Sequence, residues 1–291
     1  MNQKWMYVIN ELSKPLLLIV GIFVVSISPL FMSANGLIWP GKQVLTNVIE
    51  KMFQPGALVY TNPVSGIERD LFPYIFKAFF SSASVLGIAF AVSFSIALLT
   101  ATLLWYAPTK MKELCLSFSS LLQSIPDVMY VVISQLLLIW FYQETGTRLA
   151  NISGAGTDEA ILLPALILSI LPTIFFFQSM LRLMDEEKKE PYFDLALSKG
   201  LTRFWILLKH ILRNMLIRLA YQSKYLISLM ISNLLIIEYM FENLGMTSLL
   251  FSYSQPPVFF VTGILFFVPI YLLLKFMELV LYRLTNQEVS L

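Results

Sequence analysis

The chain has 291 residues, 57% hydrophobic and only 13% charged, with a mean hydropathy of +0.74. That is too apolar for a soluble domain of this length and reads as a polytopic membrane protein. A net charge of +2 does not mark a nucleic-acid partner, one cysteine (Cys115) excludes an internal disulfide or CxxC site, and one histidine (His210) excludes a His-rich metal site.

A membrane-crossing helix needs roughly 20 mostly apolar residues. Six such stretches are predicted, at about 15–33, 78–105, 114–141, 160–181, 215–237 and 258–282. Lys4 and Lys14 precede the first, and Ser33-Ala34-Asn35 faintly resembles a signal-cleavage site; an uncleaved first helix gives an even count of spans. Between the first and second spans, Asn35-Gly36, Trp39-Pro40-Gly41, Gln54-Pro55-Gly56 and Asn62-Pro63 are turn and breaker signals, so an irregular outer cap with short helices is expected. Within it, Gly36-Leu-Ile-Trp-Pro-Gly41-Lys42 formally starts a phosphate-binding loop. However, Gln43 stands where a Ser or Thr would hold magnesium, and no strand precedes the loop. Nucleotide binding is therefore not expected at this segment.

In the third span Pro126 removes one backbone hydrogen bond and predicts a kink. Asp127 and Lys224 both fall inside predicted spans, where an unpaired charge costs at least about 2.5–3.5 kcal/mol. Lys224 is long enough to snorkel to the surface, whereas Asp127 is not. Asp127 should therefore face a cavity in the helix bundle or a partner. Glu238 and Glu278 lie near span ends, where a carboxylate can stay hydrated. Asn151-Ile152-Ser153 fits a glycosylation acceptor, a motif common by chance.

After the fourth span, residues 185–190 read as a solvated charge cluster, and Pro191 is placed to open a short helix. Asp194 then lies near its positive end. Phe193, Ala196 and Leu197 share one face, Gly200 permits a left-handed ending, and Thr202 can cap the next helix. In that helix Phe204, Leu207, Leu208, Ile211 and Leu212 have the spacing of one apolar stripe, with Arg203, Lys209, His210 and Arg213 elsewhere. Pattern alone reads this helix as interfacial, held by lipid headgroups. Lys and Arg are concentrated on one side: Lys110, Lys112, Arg182, Lys188, Lys189, Lys199, Arg203, Lys209 and others. The opposite side has only Lys42, Lys51, Arg69, Lys77 and Arg148, so both termini are expected in the cytoplasm.

The stretch from Tyr192 to Asn214 resembles the cytoplasmic coupling loop of permease subunits of ATP-binding-cassette importers, most closely the oligopeptide, dipeptide and nickel branch. That family keeps Glu-Ala-Ala, three residues, then Gly; Asp194, Ala196 and Gly200 stand at matching positions and Leu195 departs. Lys209, His210, Leu212, Arg213 and Asn214 reproduce a second string of that branch. Ser124-Ile125-Pro126, the run from Glu238 through Phe241 and Gly245 to Leu249, and the ending Met277-Glu278 to Arg283 are similar to further family elements. The resemblance covers about 80–285.

It implies an all-α, six-helix type I importer permease. Its parts would be an N-terminal helix and outer loop (1–77), a permease core (78–285) with a coupling loop at 185–214, and a short cytoplasmic tail (286–291). The implied partners are two ABC ATPase subunits, a second permease subunit giving a heterodimer, an extracytoplasmic solute-binding protein and membrane lipid. The resemblance implies ATPase contact by Phe193, Asp194, Ala196, Leu197 and Gly200, and no catalytic residue, cofactor or metal. A lone cytoplasmic histidine favours peptide over nickel as cargo. The rival reading is a stand-alone membrane protein, either a secondary transporter or an intramembrane enzyme. No internal repeat favours the first, and no Ser/His pair or zinc cluster favours the second.

Overall fold

A computed structural model describes residues 3–33, 36–61, 68–151, 154, 160–252 and 255–285. The expectations placed on Ala34-Asn35, Asn62-Pro63, Ile152-Ser153 and the tail 286–291 lie outside these residues. Among the described residues the protein is all-α apart from two short strand pairs, and it divides into two compact units, residues 1–82 with 244–276 and residues 83–243 with 277–291.

The first unit begins with α1 (Gln3–Ile27), followed by a 3-10 turn at Ser28–Phe31 that Pro29 opens. The chain then reverses through antiparallel β1 (Met32–Ser33) and β2 (Gly36–Leu37). The segment between α1 and α3 contains α2 (Lys42–Met52), entered through Gly41 at φ +86°, and a 3-10 turn at Pro55–Ala57. Short helices there match the sequence reading, and the strand pairs are additional. The second pair joins β3 (Val59–Thr61) to β4 (Glu68–Asp70), which runs directly into α3 (Leu71–Trp105). Tyr60, 1% exposed, stacks on Tyr74 at 4.9 Å and ties this pair to the start of α3. The helix therefore starts at Leu71, ahead of the predicted span. In the same unit Phe23 of α1 meets Phe260 edge-on at 5.9 Å. A Cβ on Gly263 would lie 2.8 Å from Ile22, so glycine lets the two backbones approach closely.

The second unit is built on α6 (Leu162–Glu187) and α9 (Leu212–Met240), which pack along much of their lengths. Phe176, Met180 and Met184 recur every four residues on α6, as do Met215 and Leu219, and Leu226, Met230 and Leu234, on α9; all are buried. This i, i+4 recurrence is the pattern that aligns one apolar stripe along a helix. Phe90 and Phe94 of α3 each place an edge against Phe176 at 5.7 Å.

The predicted third span is divided. Instead of one kinked helix, α4 (Thr109–Gln123) ends at Ser124 and α5 (Asp127–Thr145) starts afresh after Pro126. Proline cannot donate to the preceding turn and pushes its predecessor out of the helical region, so the break is complete. The unit also contains α7 (Pro191–Ser198) and α8 (Arg203–Ile206), while the first unit adds α10 (Met246–Ser252). The last helix, α11, runs Pro256–Thr285.

Among the described residues, five helices are long and apolar enough to cross a membrane: Ser13–Phe31, Leu71–Trp105, Asp127–Thr145, Leu162–Glu187 and Pro256–Val280. The predicted fifth span, 215–237, is helical throughout as part of α9, but Gln222, Lys224 and Asn233 make it less apolar than those five. Glu238 corrects another expectation: instead of being hydrated at a helix end, it is 1% exposed in the interior.

Candidate functional site

The segment between α6 and α9 is the most organised polar region of the second unit. Its local order follows from its sequence. Pro191 occupies the first turn of α7, where its missing N–H removes no hydrogen bond, and Asp194 lies in the same turn with its carboxylate exposed. The helix ends in a paired closure: the Leu201 amide donates to the Ala196 carbonyl at 3.2 Å and the Gly200 amide to that of Leu197 at 2.9 Å. This is the Schellman arrangement, which needs a residue at positive φ, and Gly200 sits at +79°. Thr202 then caps α8, accepting from the Trp205 amide at 3.5 Å.

Between α8 and α9 lies a π-helical turn, Leu207–Ile211. A wide i→i+5 turn holds one residue more than an α turn. This moves the buried line to Ile206, Leu207, Ile211 and Met215, and leaves Phe204 and Leu208 exposed. The predicted stripe is corrected on those two residues, because it assumed unbroken α periodicity.

The faces of α7 also sort differently from the sequence reading. Ala196 is buried at 6% exposure, and Phe193 turns toward its own chain, its ring 6.4 Å from that of Trp105. Leu197 points outward, as does Leu195. Together with Leu201, Phe204, Trp205 and Leu208 they form a run of exposed apolar side chains along α7 and α8.

Among the acidic residues before α7, Glu187 departs from the expected solvated cluster because it is buried, while Asp185 and Glu186 stay nearly half exposed and Glu190 is exposed. Asp185 pairs with Lys112 of α4 at 3.2 Å and with Lys188 at 3.1 Å, and Glu186 pairs with Arg218 of α9. Glu187, with a side chain 7% exposed, accepts from the Tyr192 hydroxyl and, at 3.0 Å, from the Asn214 amide; Arg218 lies 3.5 Å from its other oxygen. The ammonium of Lys188 sits 3.9 Å over the Trp105 ring, a cation–π distance. Burial pushes the Lys188 ammonium below its usual range. Burial first, and then the bond to Glu187, hold the Tyr192 hydroxyl well above the normal phenol range, so it remains a donor.

Glu187, Tyr192, Arg218 and Trp105 were not singled out by sequence reasoning. Charge patterning alone does not distinguish a buried carboxylate from a solvated one. Asn214 was noted only as part of a motif, and here it has a physical role. Asp127 is half-buried in the first turn of α5, at the break after Pro126 rather than in mid-helix, where the helix dipole favours a carboxylate. Lys224 is exposed. Among the described residues no group of three or more His, Cys, Asp and Glu side chains forms a metal site.

Fold and site together define a polytopic, all-α membrane protein with a structured polar segment between two packed helices. The family described as binding-protein-dependent transport system inner membrane component matches residues 93–287, and the chain belongs to it. It is thus a permease component of a transport system rather than an enzyme. No curated protein matches the chain.

Proposed function

We propose that this chain forms part of the translocation path of an ATP-driven importer for a small solute, an oligopeptide or dipeptide, and couples to a separate ATPase through residues 185–214. The observation that carries this reading is the run of exposed apolar side chains on α7 and α8, held on a base of ion pairs and capped helix ends. Exposed contiguous apolar surface marks an interaction site, and two short helices fixed at both ends present it with a defined shape. In this reading the contact is made by Leu195 and Leu197 with the α8 residues. Phe193 and Ala196 support α7 from behind, Gly200 sets its exit angle, and Asp194 favours its N-terminal turn.

The partners in this reading are two ATPase subunits, a second, non-identical permease subunit, a solute-binding protein outside the membrane, and lipid. Both termini are cytoplasmic, residues 1–77 precede a permease core of 78–285, and Asp127 lines the path. Transport is conformational work: nucleotide and loaded binding protein favour different states, and their differential binding shifts the population.

The test is a cysteine at Leu197 in a chain with Cys115 changed to Ser, co-expressed with the candidate ATPase and exposed to a short bifunctional cross-linker. A product with the ATPase, blocked by a Leu195→Asp change in the same chain, is expected. Absence of any product with the ATPase, with transport intact in Leu195→Asp, overturns the ATPase contact.

A further inference from the structure

The chain leaves α6 at Glu187 and re-enters the bundle at the start of α9, so everything between hangs from a base. That base is closed by a single buried carboxylate. One oxygen of Glu187 receives the Tyr192 hydroxyl from α7 and the Asn214 amide from the first turn of α9, and the other faces the Arg218 guanidinium one turn further along α9. Three elements thus meet at a group with little freedom to turn, because a buried carboxylate that loses its donors is strongly disfavoured. The neighbouring pairs reinforce the closure, Glu186 to Arg218 and Asp185 to Lys112. A displacement of α7 then reaches α6 through the Tyr192 bond and α9 through Asn214 and Arg218, instead of being absorbed by bending of the segment.

We propose that Glu187 is a positioning residue for coupling: it makes α6, α7 and the start of α9 move as one body, so that movement imposed on α7 is passed to both helices together. The proposal rests on α7 being the ATPase contact. It differs from a packing role in what it predicts, since packing alone would change how much complex survives and not how the survivors move.

The test uses the full chain, with Cys115 changed to Ser, assembled with its ATPase subunits in lipid vesicles. Spin labels are placed at the exposed positions Arg182 on α6 and Lys199 after α7. The separation of the labels is measured with and without a non-hydrolysable ATP analogue. In the parent chain a narrow distribution that stays narrow in both conditions is expected. Glu187→Gln keeps the shape but removes the charge, and Tyr192→Phe removes one hydroxyl and leaves the ring in place. Both variants are expected to retain the ATPase subunits, to hydrolyse ATP, and to show broadened distributions, with the ATPase no longer stimulated by the solute-binding protein. Parent-like distributions and stimulation in Tyr192→Phe overturn the proposal, even where Glu187→Gln does not assemble. A single label at Lys199 whose mobility is the same with and without the ATPase subunits overturns the ATPase contact itself, and with it this inference; that outcome is read in the parent chain alone and is thereby distinguished from failure of the coupling role.

Discussion

At residue scale, Gly200 is the clearest case of one atom's absence deciding local structure. A Cβ there meets nothing within 4 Å, so the constraint is the positive φ alone. Left-handed backbone costs an L-residue about 1–2 kcal/mol, least for Asn and most for β-branched types. Gly200→Val is therefore expected to insert in the membrane but lose ATPase subunits on purification, while Gly200→Asn retains most of them; co-purification ratios decide. Asp194→Ala, removing a charge from an exposed first turn, should cost only about 0.3–1 kcal/mol and leave those ratios near normal. Tyr192 carries the pH dependence. Its hydroxyl is held above the usual value of 10.0, so the folded form keeps the proton more tightly. The stabilisation is complete below pH 10.0 and is lost as pH rises beyond it toward the folded value. The melting-temperature advantage of the parent over Tyr192→Phe should be constant at neutral pH and should shrink only above that point. For Asp127, Asn at this position is expected to lower transport with complex yield unchanged; normal transport would remove the residue from the path.

At the scale of elements, the π-helical turn sets which side chains of α8 face outward. The wide turn fits its extra residue into a single helical turn, so deleting Lys209 and letting the turn close to α geometry should keep α8 in phase with α9. Lys209 is exposed, so no packed side chain is removed with it. The deletion is expected to preserve membrane insertion and the cross-link from position 197 to the ATPase. Loss of the cross-link would mean that the extra residue itself is needed to hold the outward face. The division of α4 from α5 is a second element-scale feature. The Tyr130 hydroxyl donates to the Leu122 carbonyl across the break, so the ends stay tied although the helix is interrupted.

For the whole molecule, the sidedness of the membrane helices rests on the distribution of Lys and Arg. Thr147 and Lys189 flank α6, and both are exposed. Single cysteines there, with Cys115 changed to Ser, should react with an impermeant thiol reagent from opposite sides, 189 from the cytoplasm and 147 from outside, because short cytoplasmic loops accumulate positive charge. Reaction of both from outside would contradict a membrane-crossing α6 with this orientation.

The membrane class, the helical character of the spans, the capped start of α8 and the left-handed end of α7 were legible in the chain itself. Each depends on composition or on neighbours a few residues apart: apolar run length, Thr202 ahead of a helix, Gly200 after one. What only the tertiary structure decided concerns partners distant in sequence. Glu187 looks like one more surface acid until Asn214 and Arg218, far along the chain, close over it. Phe193 and Ala196 look outward-facing until Trp105 is found behind α7. The π-helical turn was equally hidden, since side-chain periodicity is read on the assumption of a single pitch, and tertiary packing of Ile206 and Ile211 stabilises the wider one. Local propensity selects the elements, while burial and charge neutralisation select which of their faces remains exposed.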